Sequence, residues 1–247
     1  MINLYRLGVL VLLIALWWAI SHVAGANLVP APLETLRAAG TLVADGRIAT
    51  ATLESLRVYF SGFLLASIAG VAAGLLMGAI PGLGGALEVY VNALMATPRV
   101  AFIPLIIVFL GLGVEAKIAI VFLGAVMPIL VNTYAGILNS DEELVEMARA
   151  VGASRIQIYR TIMLPGALPF VAVGLRVGAT IGLINTVVAE LYTAVSGLGG
   201  LLAIYGNTFQ MAPYFVVVLV LALIGSAVTY ALRLLELRFN RWRSTAG

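Results

Sequence analysis

Cysteine is absent from this chain, and histidine and lysine occur once each, as His22 and Lys117. Without cysteine there is neither a disulfide framework nor thiol chemistry. A single histidine cannot build a histidine-based metal cluster, so no metal site is expected. Charge is scarce as well. Only 10% of the residues are charged, against roughly 25% in a soluble domain, and that gap excludes an ordinary cytosolic fold. No close carboxylate pair falls within an apolar run, so no catalytic residues are assigned and a membrane-embedded enzyme is disfavoured. What fills the chain is apolar: 62% of its residues are hydrophobic, and several runs reach the ~20 residues that cross a bilayer. The fold class is therefore all-α, a polytopic membrane protein. Its net charge of +3 is carried by arginines at the ends of apolar runs. That charge speaks to topology and not to nucleic acid.

Six membrane spans are expected, at about Leu7–Ala24, Val58–Ile80, Glu88–Leu110, Ala116–Leu138, Pro169–Glu190 and Pro213–Leu235. Pro98 and Pro104 fall inside the third. Pro169 stands at the first-turn position of the fifth, where proline is tolerated. Pro81-Gly82-Leu83-Gly84-Gly85 reads as a tight turn between spans two and three, and Gly111-Leu112-Gly113-Val114-Glu115 joins three and four. Arg6, the apolar run after it and Val23-Ala24-Gly25-Ala26 also fit a cleaved signal peptide. Trp17-Trp18 suit an interface anchor better. No repeat, low-complexity tract or long linker divides the sequence, so a single domain over residues 1–247 is expected.

Arginine placement orients the spans. The tail carries Arg233, Arg238, Arg241 and Arg243, which places it in the cytoplasm. With an even number of spans Arg6 falls on the same side, and both termini are expected inside. The same topology puts the polar insert between spans four and five inside, with Arg149, Arg155 and Arg160, and puts Lys117 on the outer side. Residues 27–52 then lie outside, where Pro30-Ala31-Pro32-Leu33-Glu34-Thr35-Leu36 suggests a short surface helix.

The insert, about residues 139–168, is more than a connector. Ser140 followed by Glu143 is a capping-box pattern, and Asp141, Glu142 and Glu143 suit the positive end of a helix dipole. Leu144, Met147, Ala148 and Val151 share one face. Gly152 takes the position of a left-handed stop. Ser154 and Gln157 repeat the capping box, Ile156, Tyr159, Ile162 and Met163 form a second stripe, and Pro165 is expected to end it. The product is a helix, a sharp turn and a helix outside the bilayer. Small residues at Ala148, Ala150 and Gly152 allow another surface to come close. Docking into a cytoplasmic partner and packing on its own bundle are both open at this point. Glu146 and Arg149 are spaced for a local ion pair worth a few tenths of a kcal/mol.

The spacing Glu146-Met147-Ala148, Gly152, Ile162, Leu164-Pro165 resembles the cytoplasmic signature of ABC importer permeases: Glu-Ala-Ala, three residues, Gly, nine residues, Ile, one residue, Leu-Pro. Met147 replaces the first alanine. The wider chain resembles the nitrate, taurine and aliphatic-sulfonate branch, through Leu28-Val29-Pro30-Ala31-Pro32, Ser61-Gly62-Phe63, Ile103-Pro104-Leu105, Phe109-Leu110-Gly111-Leu112-Gly113, Asn132-Thr133-Tyr134-Ala135-Gly136 and Gly197-Leu198-Gly199-Gly200. The resemblance implies a type I, methionine-importer-like permease fold in a bacterial inner membrane. It implies a homodimer served by two cytoplasmic ATPase subunits and by a periplasmic or lipid-anchored solute-binding protein. Glu146, Met147, Ala148, Arg149, Ala150, Gly152 and Ala153 would then form the coupling element. The chain has no Gly-x-x-x-x-Gly-Lys-Ser/Thr loop, so ATP and Mg belong to the partner ATPase and no cofactor is expected here.

Polar residues inside apolar spans usually face a bundle interior or a cavity. Arg99, Asn132, Thr133, Asn185, Thr186 and Glu190 are therefore candidates for the substrate path of a small anion. Each has a plainer reading. Arg99 can pair with Glu88 or reach an interface, Asn132 and Thr133 can hydrogen-bond between helices, and Glu190 can be an interfacial carboxylate. Gly62, Gly70, Gly74 and Gly78, and Gly174, Gly178 and Gly182, fall at four-residue multiples that let helices approach closely. A secondary transporter or channel with a regulatory hairpin is the alternative function. It would need ion-coupling groups or internal repeats, and the sequence shows neither clearly.

Overall fold

A computed structural model describes residues 2–25, 27–80 and 82–240, with side chains over 5–25, 27–80 and 82–234. Ala26, Pro81, Arg241, Arg243 and the side chain of Arg238 lie outside these residues. Every regular element among the described residues is helical. They are α1 (Ile2–Ala24), α2 (Pro32–Ala44), α3 (Arg47–Ala79), α4 (Leu83–Ala96), a 3-10 turn (Arg99–Phe102), α5 (Ile103–Leu110) and α6 (Val114–Leu138). They continue with α7 (Glu142–Ala150), α8 (Arg155–Ile158), a π-turn (Tyr159–Met163), α9 (Leu164–Thr193), α10 (Gly197–Asn207) and α11 (Met211–Asn240). The chain forms two compact units, one over Met1–Leu56 and Glu190–Ile224, the other over Arg57–Ala189 and Gly225–Gly247.

Five helices are long and apolar enough to cross a membrane, and one bent pair brings the number to six. The bent pair is the third expected span, which is not one straight helix. Leu83–Ala96 and Arg99–Leu110 meet at 81°. Pro98 causes the break: the residue before a proline is pushed out of the helical region, and Thr97 is extended at φ −74°, ψ 130°. Pro104 sits in the first turn of α5, where its missing N–H removes nothing.

The fifth span also departs from expectation. Pro165 does not end the hairpin's second helix, and Pro169 lies inside α9 rather than in its first turn. Apolar helix runs without interruption from Arg155 to Thr193. A proline inside an α-helix clashes with the carbonyl four residues back, which for Pro165 is that of Thr161. The chain widens into a π-turn over that stretch, where the Leu164 amide donates to the Tyr159 carbonyl, and the helix survives the proline. Single π-turns of this kind are typical of functional sites.

In the first unit, α1 is exposed along nearly its whole length. The Trp17 indole N–H donates to the Pro30 carbonyl at 3.1 Å, and its ring stacks on Phe215 at 5.9 Å. These contacts tie α1 to the rest of the unit. The surface helix expected near Pro30 is present and extends to Ala44. At 33 residues, α3 measures about 50 Å, well beyond a ~30 Å hydrocarbon layer.

In the second unit, α6 is the central helix, and glycines on both neighbours press against it. A Cβ at Gly62 would meet Val121, and one at Gly70 would meet Ile129 and the Val126 carbonyl at 2.9 Å. At Gly74 it would lie 2.6 Å from the Leu130 carbonyl and 2.7 Å from Thr133. From the other side, Gly174 and Gly178 abut Asn132 and Ile129. The expected glycine stripes are thus close-packing surfaces. Gly182 is the exception, with ordinary contacts at 3.5–3.6 Å. Gly74→Val is expected to lower stability by about 2 kcal/mol or more, the scale of overpacking a filled core, read as a lower midpoint in thermal unfolding of the detergent-solubilised protein.

Candidate functional site

The hairpin between α6 and α9 is built as its sequence directs, with one shift. Asp141, not Ser140, caps α7: its carboxylate accepts from the Leu144 amide at 3.2 Å. The Ser140 hydroxyl turns back and donates to the Ile137 carbonyl at 2.7 Å. One polar residue thus closes the end of α6 and the next opens α7. Glu142 and Glu143 occupy the first turn and Arg149 the last, each at the favourable end of the helix dipole. Gly152 has φ +83°, a conformation that side chains other than glycine resist. There the Ala153 amide donates to the Ala148 carbonyl at 2.9 Å and the Gly152 amide to the Arg149 carbonyl at 3.0 Å. The second capping box is complete, with Ser154 accepting from the Gln157 amide and Gln157 from the Ser154 amide.

No residue of α7 is buried. Glu146, Met147, Arg149, Ala150 and Gly152 are exposed, and Ala148 and Ala153 are half-buried. The apolar stripe stays uncovered, with Met147 at 58% and Val151 at 85% of full exposure. A hairpin that only packed on its own bundle would bury that stripe. An uncovered apolar ridge rimmed by charge marks an interaction surface. Glu146 and Arg149 do not form the ion pair their spacing allows. Elsewhere, Arg47 lies 3.8 Å from Asp45.

The polar residues inside the spans are spent on helix geometry. Asn132 donates to the Pro128 carbonyl, Asn185 to the Ile181 carbonyl and Thr186 to the Gly182 carbonyl, each one turn back on its own helix. Thr133 is fully buried and its hydroxyl has no hydrogen-bond partner in the described structure. Arg99 does not pair with Glu88. Its guanidinium donates to the Gly124 carbonyl at 3.0 Å, for a legible reason. Pro128 lacks an N–H, so the carbonyl four residues before it, that of Gly124, is left open. Arg99 fills it from the broken third span, and Asn185 presses against the bare Cα of Gly124. Arg99→Met is expected to lower stability by about 1–3 kcal/mol, the cost of a buried acceptor left unmade, measured by thermal unfolding.

Glu190 lies near the C-terminal end of α9. It is fully buried and closes a network around the first turn of α10. The Gly199 amide and the Ser55 hydroxyl each donate to its carboxylate at 2.8 Å. Ser55 in turn accepts from the Leu198 amide at 2.8 Å, and Glu54 accepts from the Gly197 amide at 2.9 Å. Three successive orphan donors of a helix start are thereby satisfied by side chains of α3 and α9. Gly197 combines φ +87° with direct contact to the Glu190 carboxylate, so no side chain fits there.

Sequence reasoning missed α10, Glu54 and Ser55. It also missed the burial of Lys117, in the first turn of α6 at 2% exposure, and the half-buried Arg176 within α9. Position alone could have flagged Arg176, since it sits inside an apolar run.

Residues 62–241 match the family model of the binding-protein-dependent transport system inner membrane component. A probable ABC transporter permease protein of Brucella abortus is 31% identical over 93% of this chain and 92% of its own length. The taurine transport system permease protein TauC of Escherichia coli is 28% identical over 96% of this chain and 88% of its own. Among solved structures, the inward-facing MetNI methionine ABC transporter superposes with a TM-score of 0.65 at 23% identity, over 76% of this chain and 93% of that one. The fold is thus that of a type I ABC importer permease, as the sequence resemblance implied. Five apolar spanning helices with one bent pair, the signature on an exposed hairpin and these matches agree: the chain belongs to the family of multi-pass inner-membrane components of binding-protein-dependent transport systems.

Proposed function

We propose that this chain is the permease subunit of an ATP-driven importer of a small anionic solute of sulfonate or taurine type, forming the translocation path and drawing energy from a separate ATPase. The observation that carries the reading is the uncovered stripe of α7, set on a hairpin whose turn is fixed by Gly152. Glu146, Met147, Ala148, Arg149, Ala150, Gly152 and Ala153 present that ridge to the ATPase. ATP and Mg are held by the partner. Two ATPase subunits, a second copy of this chain and an external solute-binding protein complete the assembly, with both termini of the permease in the cytoplasm.

The substrate class has two supports. A relative over nearly the full length is named for taurine. Within the chain, Arg99 at the break of the third span, Lys117 in the first turn of α6 and Arg176 within α9 place basic groups in the membrane-spanning region, where ionisable groups usually serve a pathway. The test is co-purification in mild detergent. A soluble ATPase should be retained in equal numbers with the permease and lost on Met147→Asp, which puts a charge into an apolar contact. A permease that retains no ATPase, or whose ATPase survives that change, rejects the reading.

A further inference from the structure

The hairpin hangs on the spanning helices by few attachments. At its start, an open groove of about 620 Å³ lies between Ser140, Asp141 and Leu144 on one side and Thr161, Pro165 and Leu168 on the other. Its firm hold is at the opposite end. Ile158 is buried, and the Tyr159 hydroxyl donates to the Leu75 carbonyl of α3 at 3.1 Å. Leu75 lies between Gly74 and Gly78, the two glycines that seat this end of α3 against Thr133 and Ile137 of α6. Tyr159 is also the first residue of the π-turn.

These facts describe two unlike routes out of the hairpin. The covalent route into α9 passes through a π-turn, whose hydrogen bonds are wider than α-helical ones and whose following proline contributes no donor. That makes it a compliant joint. The lateral route is a direct hydrogen bond onto a helix locked by backbone-close contacts, and a close-packed interior transmits displacement. The geometry points to Tyr159 as a positioning residue that carries hairpin motion sideways into α3, and through the glycine contacts into α6, while the π-turn absorbs mismatch with α9. This inference rests on the coupling role proposed above and adds a residue and a direction to it.

Because the chain lacks cysteine, spin labels can be placed cleanly. Val151→Cys and Leu76→Cys, both at exposed positions, carry nitroxides in the ATPase-bound complex in lipid nanodiscs, with labelled chain diluted into unlabelled chain. With Tyr159 intact the pair should keep one distance when ATP-Mg is added. With Tyr159→Phe the resting distance should be the same, and ATP-Mg should shift or broaden it by roughly 2 Å, the scale of helix displacements in coupled transitions. An intact pair that separates on ATP-Mg, or a Tyr159→Phe pair that stays fixed while ATP is hydrolysed, overturns the inference and leaves the coupling role standing. Failure of the ATPase to bind the hairpin overturns both.

Discussion

Glu190→Ala is expected to lower stability by about 3 kcal/mol or more, among the largest losses available to a single substitution in this chain. It strips the acceptor from the Gly199 amide and from the Ser55 hydroxyl, and each buried group left unpaired costs about 1–3 kcal/mol. Ser55 also accepts from Leu198, so the loss spreads to a second donor of α10. Glu190→Gln keeps a carbonyl of the same reach and should cost less than the alanine change. Thermal unfolding of the two variants beside the parent checks the order. An alanine variant that melts with the parent would show that the network does not hold α10.

Gly152→Pro and Glu146→Lys are expected to do the reverse: uptake falls while the fold stays intact. Proline fixes φ near −65°, and Gly152 sits at +83°, so the ridge cannot keep its turn. Glu146→Lys reverses a charge on its rim. Displacing the ridge by Gly152→Pro removes a central anchor of the interface, about 2 kcal/mol or more and roughly thirtyfold in an equilibrium; the rim reversal at Glu146 is the smaller effect. Since α7 buries nothing, the melting midpoint should scarcely move. Uptake into proteoliposomes, with ATP hydrolysis and melting measured on the same preparations, decides the point. Parental uptake by both variants, with the ATPase bound, would reject the assignment.

What the sequence made legible was governed by near neighbours. The turn at Gly152 and the Ser154–Gln157 box need only residues a few positions away, and both form as expected. The apolar runs locate five spanning helices and the bent pair that makes a sixth, because length and composition alone decide them. The cap of α7 slipped by one residue, since Ser140 and Asp141 compete for the same duty and the hydroxyl finds a carbonyl behind it. Pro165 misleads as a helix stop because the π-turn that rescues it has no pattern of its own. The failure at α10 has another cause. Gly197-Leu198-Gly199-Gly200 reads as a loop, and the groups that make it a helix start, Glu54 and Ser55, lie 143 positions away. The contact of Arg99 with Gly124 was hidden in the same way. Its logic depends on Pro128, but only the fold brings the guanidinium to the carbonyl that Pro128 leaves open.

Modification of a single cysteine at Val151 tests the central claim most directly. The position is 85% exposed at the tip of the hairpin, and no other cysteine competes. A membrane-impermeant maleimide should leave Val151→Cys unlabelled in intact cells and label it in inverted membrane vesicles, and labelling there should fall when the ATPase is bound. Labelling from the outside of intact cells, or labelling in vesicles that a bound ATPase does not reduce, would contradict the account.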